Sequence, residues 1–186
     1  MTGRTTSSRK LAGALLLVAV ALLPAAANDG LDDRLSAFQV TPLGDQRPAP
    51  FKLAALDGKP VSLGDVRGRA VMLYFWETTC SYCARELPST IERVHRDLKD
   101  QGLVVLAINL GETPDLVAGW VKGRGVTSTV LLDSANEAQK SYQIAYTPTV
   151  FLLDRQGRLV GKAIGERQWT GDQGRALLRA LLARRS

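Results

Sequence analysis

The chain has two cysteines, and both fall in one four-residue stretch, Cys80-Ser81-Tyr82-Cys83. Their setting narrows the possible folds more sharply than anything else in the chain. Ala70 to Trp76 is an apolar run too short for a helix of its own, and it reads as a buried central strand. From Cys80 to about Asp100 a helical repeat takes over. Leu87, Ile91, Val94 and Leu98 share one face, with Glu92, Arg93, Arg96 and Lys99 largely on others. Pro88 is expected to kink this helix and Gly102 to end it. A strand therefore delivers a Cys-x-x-Cys pair to a helix N-terminus. There, backbone N–H groups and the positive end of the helix favour a thiolate at Cys80, and Cys83 lies one turn on, within reach of a small disulfide. This is an arrangement for redox chemistry.

A structural role fits the pair less well. A bridge closing so small a loop restrains the unfolded chain very little, and 186 residues are enough for a core without a staple. Structural zinc would need a second ligand pair, which the single histidine, His95, does not supply. No metal site and no cofactor beyond the cysteine pair itself are expected.

The N-terminus says where such chemistry would take place. Arg4, Arg9 and Lys10 precede the uncharged apolar segment Leu11 to Leu23, and Ala25-Ala26-Ala27 follows as a small-residue cleavage site. Residues 1–27 read as a signal peptide cut after Ala27, or as an uncleaved N-terminal membrane anchor. Either reading puts the folded part in the periplasm, in the second case held at the inner membrane. Those three basic residues have no acid beside them, so about half of the formal charge of +6 belongs to the leader. What remains is too small, and too little clustered with aromatics, to suggest a nucleic-acid partner.

Residues 28–50 carry Pro42, Pro48 and Pro50 without clear periodicity and are expected to be a linker, with a short helical turn around Leu31 to Phe38. Residues 51–186 are expected to form one α/β domain. Phe51 to Leu56 and Pro60 to Leu63 flank Asp57-Gly58 as a β-hairpin, and Leu103 to Leu110 reads as a second buried strand. Thr113-Pro114 starts a helix that ends before Gly123, and Val130 to Leu132 is a short strand. A helix over Ser134 to Tyr142 comes next, then strands at Thr149 to Asp154 and Leu159 to Ile164. The last helix spans Gly171 to Arg184, with its leucines inward and its arginines on a solvated face. The alternation implies a central mixed β-sheet flanked by helices.

From Phe51 onward the chain resembles the thioredoxin-like superfamily, and within it the TlpA/ResA-type extracytoplasmic thiol–disulfide oxidoreductases. The residues that carry the resemblance are Leu56 to Leu63, Tyr74-Phe75-Trp76 leading into the cysteine pair, Glu86-Leu87-Pro88, Ala107 to Glu112, and Thr147-Pro148-Thr149 to Asp154. The resemblance implies a thioredoxin-like fold in which Thr113 to Leu132 is a central helix–strand insertion. It also implies a cis Thr147–Pro148 bond facing the cysteine pair, offering backbone groups to an extended substrate segment. Four positions depart from the pattern. Thr79 stands where the family usually has tryptophan, Ser81-Tyr82 lacks the usual proline, and Tyr74 occupies the strand position where thioredoxins carry a buried aspartate.

The chemistry expected of the pair is thiol–disulfide exchange. Cys80 attacks a substrate disulfide as a thiolate, and Cys83 resolves the mixed disulfide. Glu86, three residues beyond Cys83 and hence on the same helix face, reads either as the proton acceptor for Cys83 or as a solvated helix residue; the resemblance favours the first. Trp76 either shields the disulfide or is a plain core aromatic. The leading expectation is an exported reductase of client-protein disulfides, fed by a membrane-bound thiol donor. By the resemblance, its clients are the haem-attachment cysteines of apocytochrome c or a copper-site protein. Such pairs span roughly −270 to −120 mV, so an oxidase or isomerase of the same fold stands as the alternative. A Cu(I)-binding chaperone is the alternative of another class, and it lacks a further Met or His cluster. A peroxiredoxin is disfavoured, because Glu77 stands where the threonine of its Pro-x-x-x-Thr-x-x-Cys motif would be.

Overall fold

The computed structural model describes residues 1–3 and 30–184, so the expected leader lies almost wholly outside the described residues. The sheet has eight strands in the order β1-β8-β7-β4-β5-β6-β2-β3. These are β1 (Thr41–Gln46), β2 (Lys52–Ala55), β3 (Pro60–Ser62), β4 (Ala70–Trp76), β5 (Leu103–Leu110), β6 (Thr129–Asp133), β7 (Thr149–Leu153) and β8 (Leu159–Ile164). β5 pairs in parallel with β4 and β6, and the remaining pairs are antiparallel, so the sheet is mixed as expected.

β4 lies at the centre, and all seven of its residues are buried. The two-residue period of a strand divides them between the two faces. Ala70, Met72, Tyr74 and Trp76 join one apolar layer, and Val71, Leu73 and Phe75 join the other. The first layer is covered by α1 (Leu31–Ala37), α2 (Ser81–Glu86), α3 (Glu92–Leu98), α4 (Pro114–Val121) and α6 (Asp172–Ala183). The second is covered by α5 (Glu137–Ser141) and by the segments around Phe51, Leu63 and Tyr142. Burying a large apolar side chain contributes roughly 1.5–3 kcal/mol, which makes β4 the most heavily anchored strand and a firm base for the cysteine-bearing turn at its end.

Two expectations are corrected. The fold does not begin at Phe51: α1 confirms the helical turn near Leu31, but Thr41–Gln46 is an edge strand paired with β8 and not part of a linker. Its ladder shifts register between Pro42 and Gln46, and this irregularity hides it from a search for alternation. Arg184 does not sit on a solvated helix face: its guanidinium contacts Asp45 of β1 at 2.7 Å and Asp154 at 3.2 Å, tying the end of α6 to that edge.

The helix after Cys80 is interrupted but not ended at Pro88. Leu87–Ile91 forms a π-turn between α2 and α3, which absorbs the missing proline N–H without breaking the helix. The wider turn leaves Glu92 inside. Fully buried, it accepts hydrogen bonds from the N–H groups of Thr127 at 2.8 Å and Ser128 at 3.0 Å and from both hydroxyls. These donors outweigh burial and hold its pKa below the usual carboxylate value.

Candidate active site

The carboxyl ends of β4 and β5 and the start of β7 meet at one end of the sheet, since Phe75 pairs with Thr149 and Trp76 with Asn109. The chain leaves β4 there, crosses Glu77-Thr78-Thr79 and enters α2 with Cys80 as its N-cap. Cys80 Sγ accepts the N–H of Cys83 at 3.0 Å, and the two cysteines form a disulfide with their Cα atoms 5.2 Å apart. Their exposure differs: Cys80 is half-buried and Cys83 wholly buried. When the pair is reduced, that same N–H and the helix end stabilise charge on Cys80, while burial opposes it on Cys83.

Two carboxylates hold the crossing loop. Glu112 accepts the Thr78 N–H at 2.9 Å, the Thr78 hydroxyl at 2.6 Å and Asn109 Nδ2 at 2.6 Å. Glu77 accepts the Thr147 hydroxyl at 2.9 Å, which joins the loop to the segment before β7. The Thr147–Pro148 bond is cis, as the resemblance implies, and the Pro148 carbonyl accepts the Gly165 N–H at 2.8 Å. Thr79, standing in place of the usual tryptophan, is exposed. Tyr82 is 55% exposed, with the Arg85 guanidinium 4.9 Å from its ring centroid, and Tyr146 is 70% exposed. Beside Tyr82 a cavity of about 770 Å³ opens between Gln39 and the Gly165–Gln168 loop.

Glu86 is 1% exposed, which removes the solvated reading. Oε2 accepts the Tyr74 hydroxyl at 3.1 Å, and Oε1 accepts the Arg167 N–H at 2.9 Å. Desolvation outweighs these donors and pushes the carboxyl up to about 7. The same burial, together with the neighbouring carboxylate, pushes the Tyr74 phenol far above its ordinary value, so it stays a neutral donor. Trp76 is fully buried in the layer that contains Cys83 and Glu86's neighbour Leu87, with its ring 4.7 Å from that of Trp120. His95 lies on α3, away from this end of the sheet.

The structure thus gathers Cys80, Cys83, Glu86, Thr147 and Pro148 at one pole, with Trp76 in the core beneath them. The sequence reading missed Glu112, Glu77, Tyr74's bond to Glu86, and Arg167. Tyr74 had a visible signal, as a departure from the family pattern, and Glu112 ends one of the segments that carry the resemblance. Among the described residues, no group of three or more His, Cys, Asp or Glu is placed to hold a metal ion, and no helix is long and apolar enough to cross a membrane.

Known proteins share this architecture. Residues 43–162 match the AhpC/TSA family. The thiol-disulfide oxidoreductase ResA of Bacillus subtilis is 33% identical over 62% of this chain, and the match spans 64% of that relative's own length. ResA of Bacillus cereus is 33% identical over 67% of this chain and 70% of its own length. Among solved structures, a thioredoxin-family thiol:disulfide interchange protein from Chlorobium tepidum is 26% identical, with 75% of this chain and 98% of that one covered at TM-score 0.65. StoA from Bacillus subtilis is 27% identical, with 66% and 93% covered at TM-score 0.58. With the fold and the cysteine pair in agreement, the chain belongs to the AhpC/TSA family, as a member of its ResA-like thiol–disulfide oxidoreductases.

Proposed function

We propose that the protein is an exported reductase of client-protein disulfides, acting on cysteines that must be reduced before a haem or copper site is assembled. The observation that carries the exchange chemistry is the unequal exposure of the pair: Cys80 is half-buried at a helix N-terminus, and Cys83 is wholly buried behind it. The Cys80 thiolate attacks one sulfur of a client disulfide, the client S–S bond breaks, and the other client sulfur leaves as thiolate. Cys83 then gives its proton to Glu86: its S–H bond breaks and an O–H bond forms on the carboxyl group. The Cys83 thiolate attacks Cys80 Sγ, the mixed disulfide opens, and the second client sulfur leaves with the electron pair. The protein ends oxidised, and a thiol donor at the membrane restores it.

Protein clients are supported by the apolar and aromatic side chains left in water at this pole, Tyr82, Tyr146 and Ile164. Action outside the cytoplasm is supported by the basic, apolar and small-residue pattern of residues 1–27. A Cys83→Ser variant expressed with the full leader tests the reading. It should accumulate mixed disulfides through Cys80 with exported proteins that carry haem- or copper-site cysteines, and wild-type protein in cells should be held mostly reduced. A pool held oxidised, with clients that gain disulfides, would make it an oxidase. Stoichiometric Cu(I) without covalent clients would make it a chaperone.

A further inference from the structure

Tyr74 sits on β4, and Glu86 ends α2 on the layer above it. The tyrosine is fully buried in the middle of the sheet, and the Glu86 carboxylate is its hydroxyl's one hydrogen-bond partner among the described residues. A buried hydroxyl and a buried carboxylate are each costly to leave unpaired, so the contact constrains both groups. We propose that Tyr74 is a positioning residue for Glu86: its hydroxyl fixes the orientation of the carboxyl group and sustains the anion that takes the proton of Cys83. This rests on the reading of Glu86 as the proton acceptor.

The chemistry of the two donors to Glu86 differs. The Arg167 N–H on Oε1 can only donate, whereas a phenolic hydroxyl donates to a carboxylate and can turn to accept from a carboxylic acid. The Tyr74 contact therefore survives both protonation states, and only its direction reverses as the S–H bond of Cys83 gives way to an O–H bond on Glu86. The other groups facing Glu86 do not offer this. Cys83 and Arg85 share its helix, and Glu166 in the loop after β8 is paired with Arg85 at 3.0 Å. The Trp169 indole N–H is buried without a hydrogen bond of ordinary geometry. A strand position that holds a buried acid in thioredoxins here holds the hydroxyl that manages an acid on the helix.

The test uses full-chain protein carrying a thionitrobenzoate adduct on Cys80, with release of the coloured thiolate reporting resolution by Cys83. Losing a hydrogen bond to the anion should move the pH midpoint of release in Tyr74→Phe upward by about one unit, roughly a tenfold change in the ionised fraction below the midpoint, with the high-pH plateau kept. Infrared titration of the carboxyl band in the oxidised protein should show the same shift, independently of turnover. Tyr74→Phe/Glu86→Gln should behave as Glu86→Gln alone. A midpoint that responds to Glu86→Gln but not to Tyr74→Phe, or a slowing equal at every pH, overturns the role of Tyr74. A profile untouched by Glu86→Gln overturns the reading of Glu86 itself.

Discussion

Glu86 is an acid that the fold withdraws from water without neutralising it outright. Its two donors hold it ionisable near neutrality, where a proton acceptor is most useful, and burial keeps it from drifting back to the ordinary carboxylate range. The same environment affects stability. Because the folded-state value, about 7, lies above the ordinary 4.5, the native state binds this proton more tightly than the unfolded chain does. Stability from this group is thus greatest below the unfolded value and falls as pH rises through the window between the two, by about 3 kcal/mol once both states are ionised. Denaturant unfolding of the oxidised protein across that window should show the fall in wild type and its absence in Glu86→Gln. At this scale the sequence is partly legible. The Cys-x-x-Cys spacing and the three-residue step to Glu86 are local and can be read directly. The partners that set their properties, Tyr74, Arg167 and Glu112, come from other strands and loops, so no local spacing marks them.

The central elements announce themselves because they are either wholly apolar, as β4 is, or regularly amphipathic, as α6 is. The edge does not. Thr41–Gln46 contains Pro42 and Gly44, is mostly exposed and pairs irregularly, so it has the composition of a loop although α1 and β1 close one side of the sheet. Their packing rests on a glycine. A Cβ at Gly161 of β8 would lie 2.6 Å from Leu35 Cδ2 and 2.8 Å from Val40 Cγ1, so a side chain at residue 161 would force these two core side chains, between α1 and β1, to shift. Gly161→Ala should lower unfolding stability by about 1–3 kcal/mol through overpacking, while thionitrobenzoate release from Cys80 stays at the wild-type rate. A fully stable variant would show that α1 is only loosely applied to the sheet. The π-turn at Pro88 is the other element-scale surprise. A proline in a helical pattern signals disruption, but not whether the chain ends, kinks or widens, and here widening places Glu92 inside as a clamp on Thr127 and Ser128.

As a whole, the molecule separates support from chemistry. One end of the sheet gathers the ends of β4 and β5, the start of β7 and the entry to α2, and there the loop carrying Thr78 is held by Glu112 and Glu77. The far end is closed by Arg184, Asp45 and Asp154, which bind the last helix to the first strand. The positions that depart from the family pattern, Thr79, Ser81-Tyr82 and Tyr74, are confined to the reactive end. In the mechanism we propose, reactivity there turns on one transfer, in which Cys83 gives its proton to Glu86 and so becomes able to resolve the mixed disulfide. Release of thionitrobenzoate from the Cys80 adduct, followed as a function of pH in wild type and in Glu86→Gln, reads that transfer without a client protein. Wild type should accelerate through a midpoint near 7, and the variant should lose that limb and run on the order of 100-fold slower at neutral pH. Superimposable profiles would contradict it.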